Sequence, residues 1–526
     1  MRLAAILLVL ELTPLALFGQ ESGAGVVHFP NSGTEEAQES FLYGLAQLHN
    51  FEYETASTAF RKAQQIDPEF AMAYWGEAMT HNHAIWTQQD REAALAVLKR
   101  LGPTSAARLA KAPTQREKDY LRALDILYGD GSKHDRDDAY TEAMSRLHRN
   151  YPGDPEAAAF YALALLGGAH EGRDFATYMR AAAIAEEVFR DYPDHPGILH
   201  YLIHSYDDPI HAPLGLRAAR IYARVAPDAA HAQHMTSHIF VAMGMWDDVV
   251  AANENAAEVV NLRRAARERP AYHCGHYNFW LLYGYTQQGR HRDAGRLLDA
   301  CREDIEQAGL QAPVFDPDNS ALHSYLQLRT RYLFDAEAWD SDVARWSTAL
   351  PMEYVPERIS FEYTQGYVAY NLGDIDEARR RLASLVAARG DLGAFNDENP
   401  DVDYRVEGTT RSEIVEKQLR ALISKMEGNV ADAIALLREA AELEKTMPFM
   451  FGPPFIDKPS HELLGEVLLE AGHPEEALEA FEVAASRTPN RAQVLEGLIV
   501  SAGQSGDTAK ASDAKQRLMA MRVNRK

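Results

Sequence analysis

Two cysteines, Cys274 and Cys301, are too few among 526 residues for a disulfide framework or a cysteine-rich zinc module. Cationic side chains are also scarce, with 53 Lys and Arg against 77 Asp and Glu for a formal net charge of −24. That balance repels phosphate backbones and anionic lipid surfaces, so it argues against nucleic-acid and membrane-surface partners. Beyond the N-terminus no run of about 18 apolar residues occurs, and no transmembrane helix is expected. Several motifs are missing: a phosphate-binding Gly-x-x-x-x-Gly-Lys-Ser/Thr loop, a dinucleotide-type Gly-x-Gly-x-x-Gly, a His-Glu-x-x-His helix and a Gly-x-Ser-x-Gly elbow. No nucleotide cofactor is expected. Strand-like alternation is nearly absent as well.

What is present is helical periodicity and a repeat. From Lys458 to Arg491, Leu464-Gly465 falls at positions 7 and 8, Gly472 at 15, Ala477 at 20, Phe481 at 24, Ala484 at 27 and Pro489 at 32. From Ala37 to Phe70, Gly44, Ala56, Phe60, Ala63 and Pro68 occupy positions 8, 20, 24, 27 and 32. Small residues at 8, 20 and 27 let two helices of a hairpin approach, the aromatic at 24 fills the gap between hairpins, and the proline ends the second helix. Weaker copies lie around 181–193, 215–227, 289–301, 366–385, 428–440 and 506–518. The expected fold is all-α, a tetratricopeptide-like solenoid in which helical hairpins stack into a right-handed superhelix.

The organisation expected from composition is as follows. Residues 1–24, with one Arg before a short apolar run, read as a secretory signal, which predicts a secreted or periplasmic protein with no stable membrane insertion once the signal is removed; without that signal the protein would be cytoplasmic. Residues 25–36 read as a flexible lead-in, 37–304 as an N-terminal array and 321–526 as a C-terminal array. Segments 305–320, 391–411 and 446–459, rich in Pro, Gly, Asn and Asp, read as long loops of the kind that cover or bind.

Nine of the twenty histidines fall between residues 195 and 276, where an even spread would put about three. Pro193-Asp194 and Pro227-Asp228 are one 34-residue unit apart, so His200 and His234 share position 5 while His204 and His238 share position 9. A spacing of four sets each pair on one helical face, as two imidazoles gripping a metal require. Neighbouring packed helices are close enough for both pairs to share an ion. Neutral imidazoles favour transition metals such as Zn, Cu or Fe over Mg or Ca. Four imidazoles closing a tetrahedron would make a structural site, whereas three with an open position would permit activation of water or oxygen. Two other readings stand beside a metal: a polar groove for a peptide or small molecule, and hydrogen-bonded core histidines. Cys301 falls on an apolar stripe as a small buried residue; Cys274 lies inside His273-Cys-Gly-His276.

Several stretches resemble bacterial tetratricopeptide repeat proteins distantly similar to the animal tetratricopeptide repeat protein 38: Ala73-Tyr-Trp-Gly-Glu-Ala-Met-Thr-His-Asn-His83, His204-Ser-Tyr-Asp-Asp-Pro-Ile-His211, His231-Ala-Gln-His-Met-Thr-Ser-His-Ile-Phe240, Gly452-Pro-Pro and Lys458-Pro-Ser-His-Glu-Leu-Leu-Gly465. Ala84 and Thr236 stand where that resemblance leads one to expect proline. The resemblance implies an α-solenoid whose first-helix positions 2, 5, 9, 12 and 13 line a concave groove. It carries no reaction or substrate with it. On that rule His231 and His276 (position 2), Asp207 and Asp208 (12 and 13) and His83 (13) join the groove, with Glu462 at position 5 of its own unit. His211 and His273 are further ligand candidates. The expected function is thus groove binding of a ligand through a histidine-held transition metal. The alternatives are a metal-free peptide scaffold and a metal-dependent hydrolase or oxygenase.

Overall fold

The computed structural model describes residues 23–308, 320–398 and 405–523. They form an all-α chain of helical hairpins in which each helix packs chiefly on its neighbours in sequence, with one two-residue β-hairpin, Asn82–His83 with Gln88–Gln89. The repeat logic is realised in the packing. The 458–491 unit folds as helices Ser460–Glu470 and Pro474–Arg487, and the 37–70 unit as Glu35–His49 and Tyr53–Ile66. In the first, Phe481 lies so close to the next hairpin that a Cβ on Gly497 would sit 2.2 Å from its ring; in the second, a Cβ on Gly76 would sit 2.4 Å from Phe60. Overpacking such a contact typically costs about 1–3 kcal/mol. Gly497→Ala is therefore expected to lower the urea midpoint, and Phe481→Leu in the same chain to restore part of it.

Four expectations, three of them about domain organisation, need correction. Residues 25–36 are not a flexible lead-in: Ala24, Val27 and Phe29 are buried, and the Val26 N–H donates to the Asp194 carbonyl. Apolar side chains at every second or third position give this strand-like arm something to bury, and the arm crosses the starts of several repeats. Segment 391–411 is mostly not a loop, because helix Ile375–Glu398 runs into it from one side and helix Arg405–Met426 from the other. Leu392 and Phe395, one turn apart on the first of these, supply a buried stripe that its polar composition conceals. Helix His291–Ala308 likewise takes the first residues of segment 305–320, while 309–319 lie outside the described residues, as do 1–22 of the signal reading. Segment 446–459 is irregular, as expected.

The fourth correction concerns the cysteines. Cys274 and Cys301 form a disulfide, so Cys301 is more than a packing residue. The bond ties the segment leading into helix His276–Gln287 to helix His291–Ala308.

The chain also closes on itself. Trp246 Nε1 donates to the Asn490 carbonyl, and the Ala492 N–H donates to Gln287 Oε1. Between these contacts sits the buried Arg491, bonded to Glu462 and Asp335. The C-terminal repeats thereby come back against the middle ones, and irregular segment 446–459 is brought onto the histidine region.

Candidate metal centre

Two helices carry the histidine pairs, Pro196–Tyr206 and Ala230–Ala242. The first begins at a favourable N-terminus: Pro196 occupies its first helical position, where its missing N–H costs nothing, and the His195 imidazole caps the Ile198 N–H. Every residue of the first helix is buried, and in the second every residue from Ala230 to Val241. The imidazoles therefore do not line an open groove. Phe51, from the turn of the first hairpin, stacks on His231 and packs at a tilt against His200. Trp280 lies parallel to His238 at 4.3 Å, and Phe451 from the 446–459 segment covers His238 and approaches His204. Gly452 makes this cover possible: its φ is +88°, and a Cβ there would lie 2.3 Å from Trp280.

The four paired histidines do not make one site. They separate into two groups of three, His200, His204 and His231 in one and His234, His238 and His276 in the other, with the ligand nitrogens of each group within 4.8 Å of one another. In repeat positions both groups have the same composition: 5 and 9 of one unit with 2 of the next. Positions 5 and 9 share a helical face, and position 2 of the following first helix lies beside that face, so each junction between repeats gathers three imidazoles. The candidates His231 and His276 belong to the sets as fully as the original four.

Hydrogen bonding defines how the rings present their nitrogens. His200 Nδ1 lies 2.7 Å from the His49 backbone carbonyl, which can only accept. His238 Nδ1 lies 2.5 Å from Asp207 Oδ2, and His234 Nδ1 lies 2.7 Å from Asn253 Oδ1, whose own amide nitrogen donates to the Val249 carbonyl. All three rings thus donate through Nδ1, and in the neutral form each keeps an Nε2 lone pair. His234 and His238 nevertheless bring Nε2 to within 3.1 Å of each other, and His200 and His231 to 3.2 Å. In the His234–His238 pair two lone pairs meet and repel unless a cation, either a proton or a metal ion, lies between them, whereas His231 can donate from Nε2 to His200. Nitrogens bound about 2.0–2.1 Å from one tetrahedral ion stand about 3.3 Å apart. Oxygen acceptors on Nδ1 are the kind of partner that would orient these imidazoles toward a metal. His204 Nε2 and Asp207 Oδ1 are buried and have no hydrogen-bond partner.

A third cluster shows the contrast. His49 and His195 each direct Nε2 at buried Glu156, at 2.7 and 3.0 Å. Their Nδ1 atoms meet the Tyr201 hydroxyl and the Ile198 N–H. No lone pair is left over, and the cluster is a complete hydrogen-bond network. Burial pushes the Glu156 carboxyl up, but the facing imidazoles of His195 and His49 outweigh it and hold the group well below the usual carboxylate range.

Burial holds the imidazoles of His204, His231 and His234 well below 6.5, and lowers those of His200 and His276 to about 3. They are neutral at pH 7, as metal ligation needs. The sign of the linked stability follows directly. Unfolded imidazoles take protons below about 6.5, whereas the folded ones stay neutral until far lower, so acid draws the metal-free protein toward the unfolded state. Its melting temperature is expected to be nearly flat above pH 7 and to fall by about 5 °C or more between pH 7 and pH 5. A flat profile across that interval would contradict the burial of neutral rings.

The remaining candidates lie around the centre or away from it. Asp208 pairs with Arg173 and accepts from His211, and Arg173 also donates to the His204 carbonyl at the end of its helix. His83 stacks on Tyr53 at 3.9 Å, in the layer behind Phe51. His273 faces Asp304. Glu462 is buried in an ion network with Lys458 and Arg491 and has a structural part. Sequence reasoning missed Asn253, Phe51 and Trp280, none of which carries a signal beyond its residue type. Among the described residues no helix is long and apolar enough to cross a membrane.

No family model and no curated protein matches the chain. Among solved structures the chain is similar to yeast Tom70, at 13% identity over 92% of this chain and 99% of that one, with a TM-score of 0.34. It is also similar to Cut9 in the APC/C hetero-tetramer Cut9–Hcn1, at 12% identity over 94% and 76%, TM-score 0.34. A human IFIT1 dimer with m7Gppp-AAAA matches at 12% identity over 94% and 91%, TM-score 0.30. Likeness at this level concerns the helical-repeat fold and carries nothing about the site.

Proposed function

We propose that this is an exported helical-repeat protein whose buried histidine centre holds transition-metal ions, one in each three-imidazole set. The observation that carries this reading is the approach of His234 Nε2 to His238 Nε2 while both rings donate through Nδ1. A single shared proton would relieve that one contact. It would leave His276 and the buried, unpartnered His204 Nε2 without a purpose. Three nitrogens per ion leave a fourth position open, which suits Zn, Cu or Fe and allows water or oxygen to be activated there. His276, only partly buried, borders a cavity from which a ligand could reach that set. That favours a catalytic or ligand-binding centre over a metal-free scaffold, because the face a clamped peptide would need is filled by Phe51 and Phe451.

Export is supported by the Cys274–Cys301 disulfide, a bond that persists in oxidising compartments, together with the N-terminal apolar run. Elemental analysis of protein purified without a histidine tag and incubated separately with Zn, Cu and Fe tests the metal reading. About two retained ions per chain are expected; less than about a tenth of an equivalent with all three metals would defeat it.

A further inference from the structure

Beside the centre lies a cavity of about 240 Å³ between irregular segment 446–459 and helices Ala321–Ala336 and Val355–Asn371. Its walls are largely apolar, with Phe279, Leu326, Phe451 and Phe455 on them, and His276 of the second histidine set lies on its margin. The volume is near the lower end of small-molecule pockets, about 300–1,000 Å³, and far from what an extended peptide needs.

One wall carries an unbalanced group. Glu357 is buried at 5% exposure, its Oε1 is 2.8 Å from His323 Nδ1, and its Oε2 has no hydrogen-bond partner. The other charged groups on the cavity wall do not compensate it. Arg411 donates to Asp457, which is also paired with Arg331. Among the described residues the one ionic partner of Glu357 is His323, an imidazole that is charged only when protonated. Glu357 stands in the first turn of helix Val355–Asn371, whose N-terminal dipole supplies a partial positive charge but no full counter-ion. A buried carboxylate with an unused oxygen is costly until a donor reaches it, most of all a cationic one.

We propose that this cavity is the ligand pocket of the histidine centre and takes a small organic primary amine, with its ammonium group on Glu357 Oε2. Its aromatic or aliphatic body lies among Leu326, Phe451 and Phe455 and extends toward His276. Placement at the centre rests on the metal reading; recognition by Glu357 does not.

Phenethylamine serves as the probe, titrated calorimetrically into full-length protein, metal-free and loaded with Zn. Saturable binding to both forms is expected. It should weaken at least tenfold in Glu357→Gln and in Gln327→Trp, which fills the cavity from an exposed position on its wall. 2-Phenylethanol should bind at least tenfold more weakly than the amine. No saturable binding, equal binding by a folded Glu357→Gln, or equal binding of the alcohol would overturn the proposal. If Glu357→Gln fails to fold, Gln327→Trp and the alcohol decide. In Cu(II)-loaded protein the ring protons of bound amine should be paramagnetically broadened, and sharp resonances would overturn its placement beside the centre. Metal without amine binding leaves the metal reading standing and removes the pocket; Glu357-dependent amine binding without metal does the reverse.

Discussion

His234→Ala should empty one metal set and leave the other filled. The ring supplies one of three imidazoles of its set, and its Nε2 faces His238 at 3.1 Å; none of the His200, His204 and His231 group depends on it for ligation. Metal content is therefore expected to fall by about one ion per chain, and His200→Ala/His234→Ala should abolish retention. Ligand loss also has a thermal reading. A ligand that binds only the folded state stabilises it by about 4 kcal/mol at a thousandfold excess over its dissociation constant, so loaded wild type should melt well above its metal-free form. Half of that difference should survive in the single variant and none in the double. Removal of both ions by His234→Ala alone would mean that the two groups form one cooperative cluster.

Arg491→Ala should be among the most destabilising single changes in the chain. Its guanidinium is fully buried, with Nε donating to Glu462 at 2.7 Å, Nη1 2.9 Å from Asp335 and Nη2 donating to Gln493. Burial alone would lower its pKa, but the facing Asp335 and Glu462 carboxylates more than reverse that and fix it as a cation. Removing one member of such a network leaves opposite charges buried without their partner, at a cost of about 3–5 kcal/mol. Lys458 and Arg331 still reach Glu462 and Asp335, which places the expectation toward the lower end of that range. Chemical denaturation should show the loss, Arg491→Lys should recover little because a single ammonium cannot span three acceptors, and Arg491→Ala/Glu462→Gln should cost less than the two changes summed. A loss below about 1 kcal/mol for Arg491→Ala would mean that closure of the C-terminal repeats onto the middle does not depend on this network.

The hairpins were legible because their physics is local. Gly44 against Phe60 and Gly465 against Phe481 are encoded within one 34-residue unit, and the structure packs them as the spacing implies. The histidine positions were legible for the same reason. Their partition was not: repeat counting places His200 and His234 in equivalent positions but says nothing of whether neighbouring pairs meet each other or the next repeat. The longer helix Trp246–Ala266 also shifts His276 out of the 34-residue beat. The closure of the centre was legible only in part: segment 446–459 read as a covering loop, but nothing in the sequence brings Phe451 and Phe51, 400 residues apart, onto the same histidine. Segment 391–411 misled because turn-forming residues were counted while the Leu392 and Phe395 stripe was not. The cysteines misled because a count too small for a framework still allows one crosslink, and nothing in the spacing predicts that Cys274 and Cys301 meet.

The uneven enclosure of the two sets sets a clock as well as a geometry. His200, His204 and His231 are buried beneath Phe51, whereas His276 borders the cavity. Two ions held by the same ligand chemistry would then have different lifetimes: the one beside His276 exchanging through the cavity, the other released only when the first hairpin lifts away. A chelator would draw them out in two phases, and the slower phase would report how often the N-terminal repeats open.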